Sequence, residues 1–236
     1  SVAITTPANA ATGWGDEPQS CTDPALLGLN AAIANAALEA QQPATVHLGA
    51  SATIGVTSGI HIPAGASIII DLCGGHLTIT PSDPAAAPGI RVPPGAALTI
   101  ADSVGGGTLN VELITILDSQ AAIGGASGES AGTITIDGGD VTAMVAGGGG
   151  AAVGGGRGFR GADGGSPSPG GKGGDGGTVI VNGGSLTAVT VTGGGAAAIG
   201  GGSGGAGGTN TAEQEGARGG DGGDGGTLIV NGGSVS

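Results

Sequence analysis

The sequence predicts an all-β chain: a right-handed parallel β-helix with an N-terminal capping helix and glycine-rich, polyproline II-like insertions. Three observations carry this. A glycine-rich block recurs three times in the second half of the chain, which is the mark of a repeat architecture. Short apolar-alternating segments bounded by Gly and Pro recur before it, as successive strands of one solenoid would. Aromatic residues are almost absent, with one Trp, one Phe and no Tyr, so the core must be built from Ile, Val, Leu and Ala in narrow stacked layers.

Residues 1–44 read as an extended lead-in followed by the cap. Asp23-Pro24 places an N-cap residue before a proline in the first turn and opens a helix over 24–42. Leu26, Leu29, Ile33 and Ala37 fall on one face at helical spacing, and Pro43 ends the segment. Such a helix is placed to cover the first turn, whose open strand edges would otherwise be exposed. Two cysteines are too few for a disulfide scaffold but allow one bridge in an oxidising compartment. A Cys21–Cys73 bridge would tie the cap to an early turn.

Residues 45–120 hold the first regular turns. Ile60-His61-Ile62, Ile68-Ile69-Ile70 and His76-Leu77-Thr78-Ile79 are matched by Ile90-Arg91-Val92, Leu98-Thr99-Ile100 and Thr108-Leu109-Asn110-Val111. Residues 121–236 continue the series. Ile60, Ile90, Ile123, Val153 and Ile199 each mark a first strand, at gaps of 30, 33, 30 and 46 residues. Each turn offers about three short strands and can bury its inward side chains only against its neighbours.

The insertions lengthen toward the C-terminus. Between Val153 and Thr178 the link is 24 residues, and between Ile199 and Thr227 it is 27. Both have an outgoing glycine-rich arm, a polar apex and a returning arm. The returning arms read in triplets, such as Lys172-Gly173-Gly174 and Asp221-Gly222-Gly223. Period three is that of polyproline II, so the arms are able to pair and stack. Ordering so much glycine has a large entropic cost. On this reading ordered packing and a flexible linker both stay open.

Charge and motifs exclude more than they assign. The formal net charge is −13, from 18 acidic and 5 basic residues. That balance speaks against nucleic acid, which requires a basic footprint, and against adsorption to anionic lipid. No apolar run approaches the roughly 20 residues of a membrane span. No Walker or dinucleotide glycine motif is present. His47, His61 and His76 read as outward-facing surface histidines and not as a zinc set. Asp71, Asp102, Asp118, Asp137 and Asp140 are the carboxylates a catalytic groove would use. Asp137, however, matches Asn182 and Asn231, a turn residue before Gly-Gly, and no activating His lies in the second half. Threonine rows suited to ice do not repeat in register, since Thr135 is matched by Ile180 and Ile229.

The expected reading is therefore a segment with no catalytic activity and no cofactor. Calcium at the Gly-Gly-Asp triplets is the one candidate ion, at one carboxylate per turn against the six to eight oxygens it seeks. Ligand contacts are expected on the insertions, at Arg157, Phe159, Arg160, Asp163, Glu213, Glu215 and Arg218. They hold most of the basic residues and the single Phe, on loops projecting from a rigid scaffold. Packing of these side chains between arms is the equal alternative.

The block Ala197-Ala198-Ile199-Gly200-Gly201, with Gly226-Thr227-Leu228-Ile229-Val230-Asn231-Gly232-Gly233 and its two earlier copies, resembles the glycine-rich repeats of large secreted and wall-attached proteins of Gram-positive bacteria. The similarity runs over roughly residues 24–236. The Gly-Gly-x arms are also similar in kind to the stacked polyproline II tips of phage tail-fibre adhesins and to glycine-rich antifreeze bundles. The resemblance implies an extracellular, secreted or cell-wall-attached adhesin or stalk, and no catalytic residue carries over. Its partners would be a glycan or protein on a host or neighbouring cell, with self-association through the arms. Two alternatives stand beside it: a carbohydrate-recognition region of a larger polysaccharide-active protein, and a phage receptor-binding tip. The chain opens at Ser1 without a leader and stops inside its last repeat, so the natural protein is expected to be longer.

Overall fold

The computed structural model describes residues 2–5, 21, 29–39, 41–49, 52–83, 87–114, 120–164, 166–191, 195–210 and 215–236. Asp23, Pro24, Leu26, Asp118 and Glu213 lie outside the described residues.

In chain order the elements are β1 (Val2–Thr5), α1 (Leu29–Ala36), β2 (Ala44–Leu48), β3 (Thr53–Val56), β4 (Ile60–His61), β5 (Ser67–Asp71), β6 (His76–Ile79), β7 (Ile90–Arg91), β8 (Ala97–Ala101) and β9 (Thr108–Leu113). The second half adds β10 (Ile123–Gly124), β11 (Thr133–Ile136), β12 (Asp140–Ala146), β13 (Val153–Gly154), β14 (Thr178–Val181), β15 (Ser185–Val191), β16 (Ile199–Gly200), β17 (Thr227–Val230) and β18 (Ser234–Val235).

Beyond the first strands, every third strand joins the same sheet. Three sheets result, ordered β1-β2-β5-β8-β11-β14-β17, β16-β13-β10-β7-β4 and β18-β15-β12-β9-β6-β3. All pairings except β1 with β2 are parallel, which is a solenoid-like parallel β architecture. The antiparallel β1 is an addition to the sequence reading, in which the chain before the capping helix is an extended lead-in.

Register lines up equivalent side chains into columns. Ile60, Ile90, Ile123, Val153 and Ile199 are successive partners, at the spacings read from the sequence. Val46, Ile70, Ile100, Ile136, Val181 and Val230 form a second column. The interior members are fully buried, while Val230 at the last turn is 51% exposed. Alternation of buried and half-buried residues along β8, β9 and β11 is what one inward and one outward face produce.

At the other end α1 buries Leu29, Ala32, Ile33 and Ala36 against the same core. The helix stops at Ala36, not at 42 as the sequence suggests. Its last turn tightens through Leu38 N–H to Asn35 C=O, and the Gln42 amide donates to the Ala36 and Glu39 carbonyls. Leu38 is left pointing to solvent. Asn30 then links the cap to β4, donating to Gly59 C=O and accepting from His61 N–H.

Turns in the second half repeat as closely as strands. Gly139, Gly184 and Gly233 have φ of 80°, 66° and 69°, the left-handed region that glycine tolerates. The preceding Asp137, Asn182 and Asn231 stack as a ladder, each Asn amide donating to the side-chain oxygen one turn earlier at 2.8 Å.

Candidate functional site

The two long insertions form four arms: first outgoing (155–164), first returning (166–177), second outgoing (201–210) and second returning (215–226). They are ordered against one another by backbone hydrogen bonds at every third residue. Gly171 and Gly174 donate to Phe159 and Gly156 within the first insertion. Gly202, Gly205 and Gly208 donate from the second outgoing arm to Gly174, Gly171 and Ser168. Gly220 and Gly223 donate back to Gly205 and Gly202, and Gly170, Gly173 and Gly176 donate to Arg218, Asp221 and Asp224. Gly158, Gly161 and Gly164 donate to Ser203, Ala206 and Thr209 across the two outgoing arms.

In the first returning and second outgoing arms, close approach explains two glycines per triplet. A Cβ on Gly204 would collide with the carbonyl of Gly220, and one on Gly205 with the carbonyl of Phe159. The remaining position of each triplet points outward. Side chains three residues apart therefore share an edge, and Arg160–Asp163, Lys172–Asp175 and Arg218–Asp221 pair at 2.9, 2.8 and 2.7 Å.

The residues singled out from the sequence divide between these roles. Arg157 donates to Gly148 C=O at 3.0 Å and is half-buried, so it holds the arm's base. Phe159 is 65% exposed, its ring edge lying over Gly128. Asp163 accepts from Thr209 N–H and Oγ and from Arg160, and these contacts, the Thr209 backbone bond first, hold its carboxyl below its ordinary range. Glu215 is exposed, and Arg218 is exposed and paired with Asp221. The arms thus gather Phe159, Arg160, Asp163 and Thr209 on the first and second outgoing arms, while Arg218 belongs to the returning arm. Lys172 Nζ stands between Asp175 and Asp224, at 2.8 and 3.6 Å, in the position the triplet reading gave to calcium.

Asp102 and Asp140 among the groove carboxylates link neighbouring turns of the chain. Asp102 accepts from Gly74 and Gly107 N–H at 2.7 Å each, and Asp140 accepts from Ser185 Oγ. Arg91, which occupies the position of His61 one turn later, makes a two-point bond to Glu129 at 2.7 and 2.8 Å. That bond holds Glu129 below its ordinary range, and burial together with Arg91 lowers His61.

The three histidines do not converge, but His47 is no plain surface residue. It is the register partner of Asp71 on the neighbouring strand, and its Nδ1 lies 3.0 Å from Asp71 Oδ2. Cys21 and Cys73 are joined as a disulfide beside this pair, with Cys73 Sγ 3.6 Å and Cys21 Sγ 4.0 Å from Nδ1. Asp71 Oδ1 accepts from Cys73 and Ser103 N–H. Burial opposes ionisation of Asp71, but the bonds from His47, Ser103 and Cys73 outweigh it and hold the carboxyl far below the usual range. Among the described residues this is the one cluster of His, Cys and carboxylate with metal-ligand spacing. No helix among them is long and apolar enough to cross a membrane.

No protein-family model, curated protein or solved structure matches this chain.

Proposed function

We propose that the chain is an extracellular adhesive or structural stalk module. It is a right-handed parallel β-helix whose polyproline II arms form a stiff lateral bundle, and it performs no catalysis. The observation that carries this reading is the three-residue hydrogen-bond period across four arms. A flexible linker has no such period. A disulfide on the cap agrees with an oxidising, extracellular setting. Ligand contact falls to the outward edge bearing Phe159, Arg160 and Asp163, with Glu215 and Arg218 on the returning arm. Its partner is a glycan or protein on a host or neighbouring cell.

The test is binding to glycan arrays and intact cells by the chain and by a Phe159→Ala/Arg160→Ala variant. Loss of binding in the variant, with unchanged amide exchange in the arms, supports adhesion. No ligand for either protein, with filament or stalk assembly intact, reduces the reading to structure alone. Cleavage of any polysaccharide overturns the non-catalytic part.

A further inference from the structure

We propose that the cluster Cys21, His47, Asp71 and Cys73 is a redox-gated site for zinc, closed as a disulfide and opened by a dithiol reductant. The strands dictate the geometry. His47 and Asp71 are side-by-side partners on β2 and β5. Cys73 follows Asp71 by two residues, at the turn where φ is 54°. All four donor atoms lie within 4.8 Å of one another.

The donors converge on one point and do not form a relay. In a Cys–His–Asp relay the carboxylate and the sulfur use opposite ring nitrogens. Here Asp71 Oδ2, Cys73 Sγ and Cys21 Sγ all face the same Nδ1, at 3.0, 3.6 and 4.0 Å. Cys21 Sγ also stands 4.0 Å from Asp71 Oδ2. In tetrahedral zinc, bonds near 2.3 Å to sulfur and near 2.0–2.1 Å to nitrogen or oxygen put S···N pairs about 3.6 Å apart and N···O pairs about 3.4 Å apart. The S···N and N···O pairs already stand within about 0.5 Å of those spacings, and the bonded sulfurs must separate. Asp71 Oδ1 is held by two backbone N–H groups, the kind of outer contact that orients a ligating carboxylate.

The chemistry balances in two steps. A dithiol gives two electrons and two protons to the Cys21–Cys73 bond, yielding two thiols and the oxidised cyclic disulfide of the reductant. Zinc(II) then displaces both thiol protons and binds two thiolates, neutral His47 and the Asp71 carboxylate.

The experiment titrates the full chain, oxidised and reduced, with zinc against a chelating dye and with cobalt(II) by absorption. The reduced chain is expected to bind one zinc and to give the thiolate charge-transfer and tetrahedral bands with cobalt. The oxidised chain is expected to give neither. His47→Ala and Asp71→Ala should each weaken binding at least tenfold, while His61→Ala and His76→Ala leave it unchanged. Reoxidation by a small disulfide should release the metal. Equal binding by the oxidised chain, or binding indifferent to His47, overturns the proposal. So does a reduced chain that binds no zinc, or one that loses its strand signal in circular dichroism without regaining it on zinc.

Discussion

The solenoid and the arms are both periodic, yet they are held by opposite means. The solenoid stacks large side chains inward, as in the column from Val46 through Ile100 to Val181. Backbone bonds only set its register. The arms have no core at all. Their backbones touch directly, and at positions such as Gly174, Gly204 and Gly205 glycine is present because a side chain would stand where a neighbour's carbonyl is. One region therefore suffers when atoms are removed and the other when atoms are added.

The largest expected effect is on the solenoid side of this contrast. Ile100→Ala should destabilise the chain by about 2–5 kcal/mol, from lost burial and a residual cavity, read by denaturant unfolding. A smaller loss would mean that the layers collapse onto one another more freely than stacked Ile and Val allow. Next is the inverse change. Gly205→Ala should cost about 1–3 kcal/mol as an overpacking substitution. Amide exchange should show protection lost at Gly171 and Gly220 but kept in β8 and β11. Uniform loss across both regions would show that arms and solenoid are one cooperative unit.

A third effect is centred on β5. Asp71 is depressed in the folded chain, so its contribution is fully present above the unfolded carboxyl value of about 3.9. It is lost progressively as pH falls below that toward the folded value. Acid unfolding of the wild type below about pH 4 should be steeper than that of Asp71→Asn, whose stability lacks this dependence. Identical acid limbs would remove Asp71 from the account. The smallest effect sharpens the rule for the arms. A Cβ on Gly222 would come no nearer than 3.7 Å to Gly202 C=O, because this position of the last returning arm faces outward. Gly222→Ala should therefore stay within about 0.5 kcal/mol of wild type in thermal melts, in contrast to Gly205→Ala.

The columns and the arms' period of three are legible in the sequence for the same reason, whereas the mutual order of the arms is left open by it. Both repeat a residue type at a fixed structural position, so Ile60 could be aligned with Ile199 and Lys172-Gly-Gly with Asp221-Gly-Gly. The His47–Asp71 pair was not. Their separation of 24 residues belongs to the first turn, which departs from the later spacing of 30, and no second copy exists to reveal it. Arg91–Glu129 was hidden because the partners lie on a strand and on a short link whose path no periodicity describes. The helix end was misplaced because Gln42, and not Pro43, closes it by capping Ala36.

The lateral bonds between arms have a mechanical consequence. A load applied along an arm, as by a ligand held at its tip, strains the bonds at Gly158, Gly161, Gly171, Gly174, Gly202 and Gly205 in shear, so they share the force. A load applied across the arms, peeling the outermost one away, meets them one after another. The module should therefore be strong when tugged from its tips and weak when peeled from its side, like a strip of tape.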